Sequence, residues 1–417
     1  MLLLLLLLFV GASSNNVLQV HLALAGRNRR AVCWQTMDAA ESVVRYGPSL
    51  ELTAYGSAVR YYESYSHTVV LEDLAPGVWR YQVGNQSSNF TISSETPPFK
   101  VAIIGDNGRK EYGGGQVIEM LGPQFDFVWH NGDIGYADDA FLHSVLEFGY
   151  EDAWNEYASQ MDWAPQIPWM VAPGNHEAEC HSPACRVSWT RRESLRNFSA
   201  YQSRFRMPSE ESGGSGNMWY SFEYGPLHIA VVNTETDYPD APIDSYLLGG
   251  GQYGGFCDSF GCGDWLEWLE NDLKNVDRER TPFILVGGHR PVYSVDEMND
   301  DGTPSDDAAA LQAAVEDLFY KYGVDVYFCG HKHAYERTFP VYKSVLTPNA
   351  TVYVVEGAAG GDEGLQSYAG DPSPDFLAYV NDTQYAMGVL DVLSPTHIKF
   401  SHVGAGGLVL DFVDLYK

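Results

Sequence analysis

The chain is 417 residues long and carries 25 Lys and Arg against 55 Asp and Glu, a formal net charge of −30. That sign excludes a surface built for nucleic acid or for an anionic membrane, since both need a positive footprint. With 45% hydrophobic and 13% aromatic residues it is also unlike an acidic disordered chain, and its length predicts two or three domains around a sizeable core.

The first element is Met1, seven leucines, Phe9 and Val10, closed by the small residues Gly11 to Ser14. This reads as a secretory signal peptide over 1–14, although no Lys or Arg precedes the apolar run. It is too short to span a bilayer, and no later stretch reaches about 18 apolar residues, so no transmembrane helix is expected. Residues 15–94 read as β throughout. Strand candidates are Val17–Leu24, Ala31–Met37, Ser42–Tyr46, His67–Leu71, Trp79–Val83 and Asn89–Ile92, with turn signals between them. Leu74 to Tyr81 has the pattern of a tyrosine corner, in which the Tyr81 hydroxyl bonds back to nearby backbone, and Trp34 is the candidate core Trp. Together these features resemble a fibronectin type III-like β-sandwich. Ser93–Pro98 is the linker candidate.

From Phe99 to Lys417 the character is α/β. Apolar strands are expected at Val101–Ile104, Phe125–Trp129, Trp169–Ala172, Phe283–Val286 and Val324–Cys329. A helix capped by Asp264 carries Trp265, Trp268, Leu269, Leu273 and Val276; a second starts near Ser305 and stops at Gly323. Residues 351–417 return to strands. Charge divides unevenly across this boundary. Residues 17–97 hold 6 basic and 7 acidic side chains, which leaves 19 basic and 48 acidic for 98–417. Metal cations are candidates for offsetting part of that excess.

Five Asn-x-Ser/Thr sequons, at Asn85, Asn89, Asn197, Asn349 and Asn381, accord with a secreted glycoprotein. Cys180 with Cys185, and Cys257 with Cys262, each flank a four-residue spacer in loop-like sequence, so local disulfides are expected in an oxidising compartment. Cys33 and Cys329 lie in apolar runs and read as free buried thiols.

Each strand of the α/β part ends in a polar group set off by glycines: Gly105-Asp106, Asn131-Gly132-Asp133 with Tyr136, Gly174-Asn175-His176-Glu177, Gly287-Gly288-His289-Arg290, and Gly330-His331-Lys332-His333. In open α/β sheets ligands bind beyond the carboxyl ends of the strands, so five loops from one sheet edge can converge. The residues delivered offer oxygen and imidazole nitrogen and no thiolate, which suits Fe, Zn or Mn better than Ca. Seven ligands with one shared carboxylate make two four-coordinate sets, the arrangement of a two-metal site that clamps both oxygens of a phosphoryl transfer and holds a hydroxide nucleophile.

These five motifs in this order resemble the metallophosphoesterase superfamily, whose fold packs two mixed β-sheets between helices. Tyr136, three residues after Asp133, makes the chain similar to the purple acid phosphatases in particular. The resemblance implies a ferric ion held by Asp106, Asp133, Tyr136 and His333. It implies a divalent ion (Zn, Fe or Mn) held by Asp133, Asn175, His289 and His331, with Asp133 bridging. His176 would be catalytic, facing substrate oxygens or the leaving group, and Asn175, His176 and His289 would line the substrate. Glu177 would orient its own loop. One departure is Met298, where better-known members of the family carry a His that handles the leaving group; Asp296 or Glu297 could substitute.

The implied function is a secreted acid phosphatase that hydrolyses phosphomonoesters. A phosphodiesterase or nucleotide pyrophosphatase on the same site, and a non-catalytic extracellular binding module, are the alternatives. The last should show a broken ligand set, whereas all seven positions are filled. Glu336 and Arg337 read as a structural pair. The arginines between Arg186 and Arg206 either pair with surface carboxylates or line the rim of the site and attract phosphate.

Overall fold

The computed structural model describes residues 16–142, 149–178, 187–195, 198–239, 241, 265–299, 303–368 and 373–417. The segment 1–14, Cys180, Cys185, Cys257, Cys262, Asn197 and the cap at Asp264 lie outside these residues.

Two four-stranded antiparallel sheets make the N-terminal sandwich. One runs in the order Leu18–Leu24, Arg30–Thr36, Ser64–Leu71, Ser57–Tyr61; the other runs Leu52–Tyr55, Val43–Tyr46, Gly77–Val83, Gln86–Ile92. Alternate residues point inward and close a core of Leu22, Val32, Trp34, Val69, Leu71, Tyr81, Phe90 and Ile92. Trp34 is 3% exposed and stacks on His67 with ring centroids 4.9 Å apart. The strands Leu52–Tyr55 and Ser57–Tyr61 are absent from the pattern read in the sequence. Their residues are mostly exposed, so they carry no apolar alternation to read.

The tyrosine corner is not formed. The Tyr81 hydroxyl donates to the Pro165 carbonyl at 2.8 Å, far along the chain, while the indole of Trp79 makes the local bond, to the Ala75 carbonyl at 2.8 Å. Tyr81 is thus one of several ties between the sandwich and the rest. Leu22 N–H donates to the Ala164 carbonyl at 3.0 Å, and Tyr61 bonds Glu151. The outer face of the sandwich, with Ala23, Ala25, Ala31, Cys33 and Tyr61, shares one core with Trp169, Met170 and Phe205. Arg204, 4% exposed, closes this seam. It donates to Glu151 at 2.7 Å and to Gln35 at 3.2 Å. Arg206 pairs with Glu211 at 2.6 Å, so neither arginine lines a phosphate site.

The remainder is built on two mixed sheets. The first runs Trp169–Ala172, Phe127–Asn131, Phe99–Ile104, Ala386–Ser394, His397–Gly404, Val409–Tyr416; its first three strands are parallel. The second runs Tyr220–Tyr224, Leu227–Val231, Phe283–Gly287, Val326–Cys329, Val352–Glu356, Tyr335–Thr338, Leu377–Asn381, parallel through its middle four. They pack face to face through aromatics, with Phe127 against Phe222 at 5.6 Å, Trp129 against Phe328 at 5.6 Å and Phe328 against Phe400 at 5.0 Å. Residues 351–417 therefore complete both sheets.

The helix Asp306–Tyr322 begins at Ser305, whose hydroxyl accepts from Ala308 N–H, and ends at Gly323 with φ 65°. Such a cap contributes about 1 kcal/mol, and the left-handed stop favours glycine. Cys33 and Cys329 are free and buried. Glu336 and Arg337 do not pair. Neighbours on a strand face opposite sides, so Arg337 bonds Asp411 at 2.6 Å while Glu336 accepts from Ser294 at 2.5 Å and Val295 N–H at 2.8 Å. Among the described residues no helix is long and apolar enough to cross a membrane.

Candidate metal centre

All seven sequence-derived ligand residues meet at the carboxyl ends of the parallel strands, but the loops come from two sheets. Asp106, Asp133, Tyr136 and Asn175 follow strands of the first; His289, His331 and His333 follow strands of the second. The centre therefore sits where the two layers meet. Glycines make room there for ligand side chains. A Cβ on Gly330 would lie 2.1 Å from Asp106 Oδ2, and one on Gly174 would lie 2.3 Å from Asp133 Oδ1. Four of the seven candidate ligand residues adopt left-handed backbone: Asp106 (φ 59°), Asp133 (φ 54°), Tyr136 (φ 50°) and His331 (φ 70°). Asp and His visit that region more readily than most side chains; for Tyr136 it is strain of about 1–3 kcal/mol, held by the surrounding bonds.

Two donor clusters result. In one, the Tyr136 hydroxyl lies 2.8 Å from His333 Nε2 and 3.3 Å from Asp106 Oδ1, and His333 Nε2 is 3.4 Å from the same oxygen. In the other, His289 Nε2 lies 3.0 Å from both Asp133 Oδ2 and Asn175 Oδ1, and His331 Nδ1 lies 3.0 Å from Asn175 Oδ1. The ligand atoms of Asp133, His289 and His331 all fall within 4.8 Å of one another. The backbone N–H of His331 donates to both Asp106 oxygens, at 3.0 and 2.8 Å, which links the clusters.

This donor set fits a pair of cations. The outer Nδ1 of His289 is 2.9 Å from the Asn131 carbonyl and that of His333 is 2.8 Å from the Gly364 carbonyl. A carbonyl requires N–H at that nitrogen and so aims the Nε2 lone pair inward, as outer partners of metal-binding histidines do. The electrostatics agree. Burial, with the Asp106 and Asp133 carboxylates beside it, pushes the Tyr136 phenol well above its usual value, so it ionises only against a cation.

His176 lies against this cluster. Its backbone N–H donates to Asp133 Oδ1 at 3.0 Å, its ring lies 4.5 Å from that of Tyr136, and its Nδ1 is 3.0 Å from both oxygens of Asp138. Burial opposes charging His176, but Asp138, Asp133 and Asp139 outweigh it and hold the imidazole well above its usual value. Asp138 was missed in the sequence, although its place two residues after Tyr136 was the available signal. Glu177 does more than orient its own loop. Its carboxylate accepts from Gly174 N–H at 2.8 Å and also from Asp133 N–H at 2.8 Å and Ile134 N–H at 2.7 Å, so it sets two ligand loops at once. Met298 packs against the core, and Asp296 and Glu297 bind Lys332 at 2.8 and 2.6 Å.

Comparison with known proteins agrees with this geometry. The calcineurin-like phosphoesterase family matches residues 99–335, the purple acid phosphatase N-terminal domain matches 17–101, and the iron/zinc purple acid phosphatase-like C-terminal domain matches 350–412. Acid phosphatase A of Cryphonectria parasitica is 32% identical over 96% of this chain and 91% of its own length. Acid phosphatase type 7 of Homo sapiens is 30% identical over 94% and 89%. The structure of a purple acid phosphatase from yellow lupin seeds superposes with a TM-score of 0.73 at 21% identity, covering 96% of this chain and 74% of that one.

Proposed function

The chain belongs to the purple acid phosphatases, and from that membership we propose a division of labour among its residues for hydrolysing phosphomonoesters in the secretory route. Asp106, Asp133, Tyr136 and His333 hold a ferric ion, and Asp133, Asn175, His289 and His331 hold a divalent one, with Asp133 shared. The observation that carries this reading is the meeting of two donor clusters around Asp106 and Asp133. Bound there, two cations supply Lewis acidity toward phosphoryl oxygens and ease the deprotonation of water.

The chain's own residues do the rest. Asn175, His176 and His289 line the place where a phosphate ester must sit. Asp138 holds Nδ1 of His176, which fixes the ring and presents Nε2 to the substrate as a proton carrier. Tyr136 supports iron as the first ion, since phenolate is a hard anionic donor that favours a trivalent ion. Secretion accords with the leading leucine run and with sequons at Asn85, Asn89 and Asn349, all exposed, and at Asn381, partly exposed.

Metal analysis and one variant test the reading. About two metal ions per chain and a visible tyrosinate–iron band are expected, and Asp133→Asn should lower turnover below about a thousandth of the parent. Metal-free protein that retains full hydrolysis would sink it. A diesterase is the second reading, favoured by Met298, which packs against the core and offers no proton to a leaving group. Diester turnover exceeding monoester turnover across pH would select it.

A further inference from the structure

The outermost strand of an open sheet presents backbone N–H and C=O groups that another chain can pair with. Most edges of this molecule carry a feature that opposes such pairing. Leu18–Leu24 is bulged and meets the neighbouring edge through a bridge from Leu22 to Pro168. Leu52–Tyr55 is only four residues long. Ser57–Tyr61 carries the exposed Arg60, Tyr220–Tyr224 carries Glu223, and Val409–Tyr416 carries Asp411 and Asp414. A charge on an edge resists strand addition because the new partner would desolvate it.

Two edges have no such charge. Gln86–Ile92 ends one sheet of the sandwich, and Leu377–Asn381 ends the seven-stranded sheet. Neither contains Lys, Arg, Asp, Glu or Pro. Gln86–Ile92 pairs with Gly77–Val83 in unbroken register. Leu377–Asn381 is irregular only at its start, where Leu377 meets Thr338, and Val380 is 39% exposed. Among the described residues no strand pairs on the far side of either.

These same two strands contain a glycosylation sequon. Asn89-Phe90-Thr91 lies within the first, and the second ends on Asn381 of Asn381-Asp382-Thr383. The sequon residues Asn85 and Asn349 sit in turns instead. Phe90 points into the sandwich core, so its neighbour Asn89 is exposed, and the Asn89 amide makes no hydrogen bond among the described residues. At Asn381 the carbonyl Oδ1 accepts from Thr383 N–H at 3.3 Å, which leaves Nδ2, the atom that bears a glycan, unengaged.

We propose that N-linked glycans on Asn89 and Asn381 guard these two edges: each sets a bulky, hydrated sugar where the other edges use charge, brevity or a bulge, and so blocks pairing with another chain. This rests on the secretory reading and gives two of the sequons a purpose that Asn85 and Asn349 do not share.

The test uses the full chain expressed with its own leader in a eukaryotic host. Glycopeptide mass spectrometry reads occupancy, and light scattering at equal concentration reads particle mass. Asn89 and Asn381 should be occupied. N89Q and N381Q should each shift to a higher mass than the parent, with phosphomonoester turnover per chain unchanged, whereas N349Q should keep the parental mass. N89K and N381K also lack the sugar but put a charge on the edge, and should return to the parental mass. Parental mass for N89Q and N381Q overturns the inference. So does an equal shift in N349Q or in the lysine variants, since loss of any sugar would then suffice. If the glutamine variants are not secreted, folded N349Q trimmed with an endoglycosidase takes their place, and an unchanged mass overturns the inference. Glycan on Asn85 and Asn349 with Asn89 and Asn381 bare refutes the inference alone; glycan on no sequon refutes the secretory reading with it.

Discussion

The interior of the sandwich and the interior around the metal centre are stabilised by different means. The sandwich core is Leu, Val, Ile, Phe and Trp side chains at strand alternation, each favourable to bury at about 25 cal/mol per Å². At the strand ends of the two larger sheets the buried groups are Asp106, Asp133, Asp138, Glu177, Glu235 and His289, none more than 1% exposed. Burial there costs free energy and is offset bond by bond, with backbone N–H, imidazole and guanidinium partners arranged around each carboxylate. The difference teaches that one region specifies shape through hydrophobic pattern, whereas the other sacrifices stability to hold chemistry in place.

Three changes test that contrast. Trp34→Ala should cost about 3–5 kcal/mol in denaturant unfolding while leaving KM unaltered, because it empties the sandwich core and touches no ligand loop. A KM change would show that the two regions are coupled at the site. Glu177→Gln should cost less, about 1–3 kcal/mol, since its amide turns N–H toward backbone N–H donors. Its larger signature is loss of metal, because Asp133 and Gly174 lose their anchor; full metal content would deny that role. A third effect, read as a slope with pH, concerns Glu336, pushed up to about 7 by burial. Its folded pKa lies above its unfolded value, so its contribution is complete below about 4.5 and declines as pH rises toward 7, at about 1.4 kcal/mol per pH unit. Glu336→Gln should flatten the parent's stability profile over that range; an unchanged slope would mean the carboxylate is ionised throughout.

The same contrast explains what could be read in the sequence. Asp106, Asp133, Tyr136, Asn175, His289, His331 and His333 were legible because each follows an apolar strand and a glycine, and strand ends are where ligands gather. Their origin in two sheets was not, since apolar strand sequences do not declare their neighbours. Phe127–Asn131 pairs with Phe99–Ile104, whereas Val326–Cys329, with similar sequence character, belongs to the other layer. Glu235 and Arg290 were invisible as a pair because only folding brings the Glu235 carboxylate to the Arg290 guanidinium. The tyrosine corner failed for a related reason: a local motif was read for Tyr81, and a distant carbonyl at Pro165 took its hydroxyl.

That distant carbonyl belongs to a seam with a consequence in time. The sandwich is synthesised first, as N-terminal units are, yet its face of Ala23, Ala25, Ala31, Cys33 and Tyr61 has no cover until Trp169, Met170 and Phe205 have followed. For much of translation the nascent protein carries a sticky, half-finished surface, and the order of manufacture runs against the order in which that surface can close.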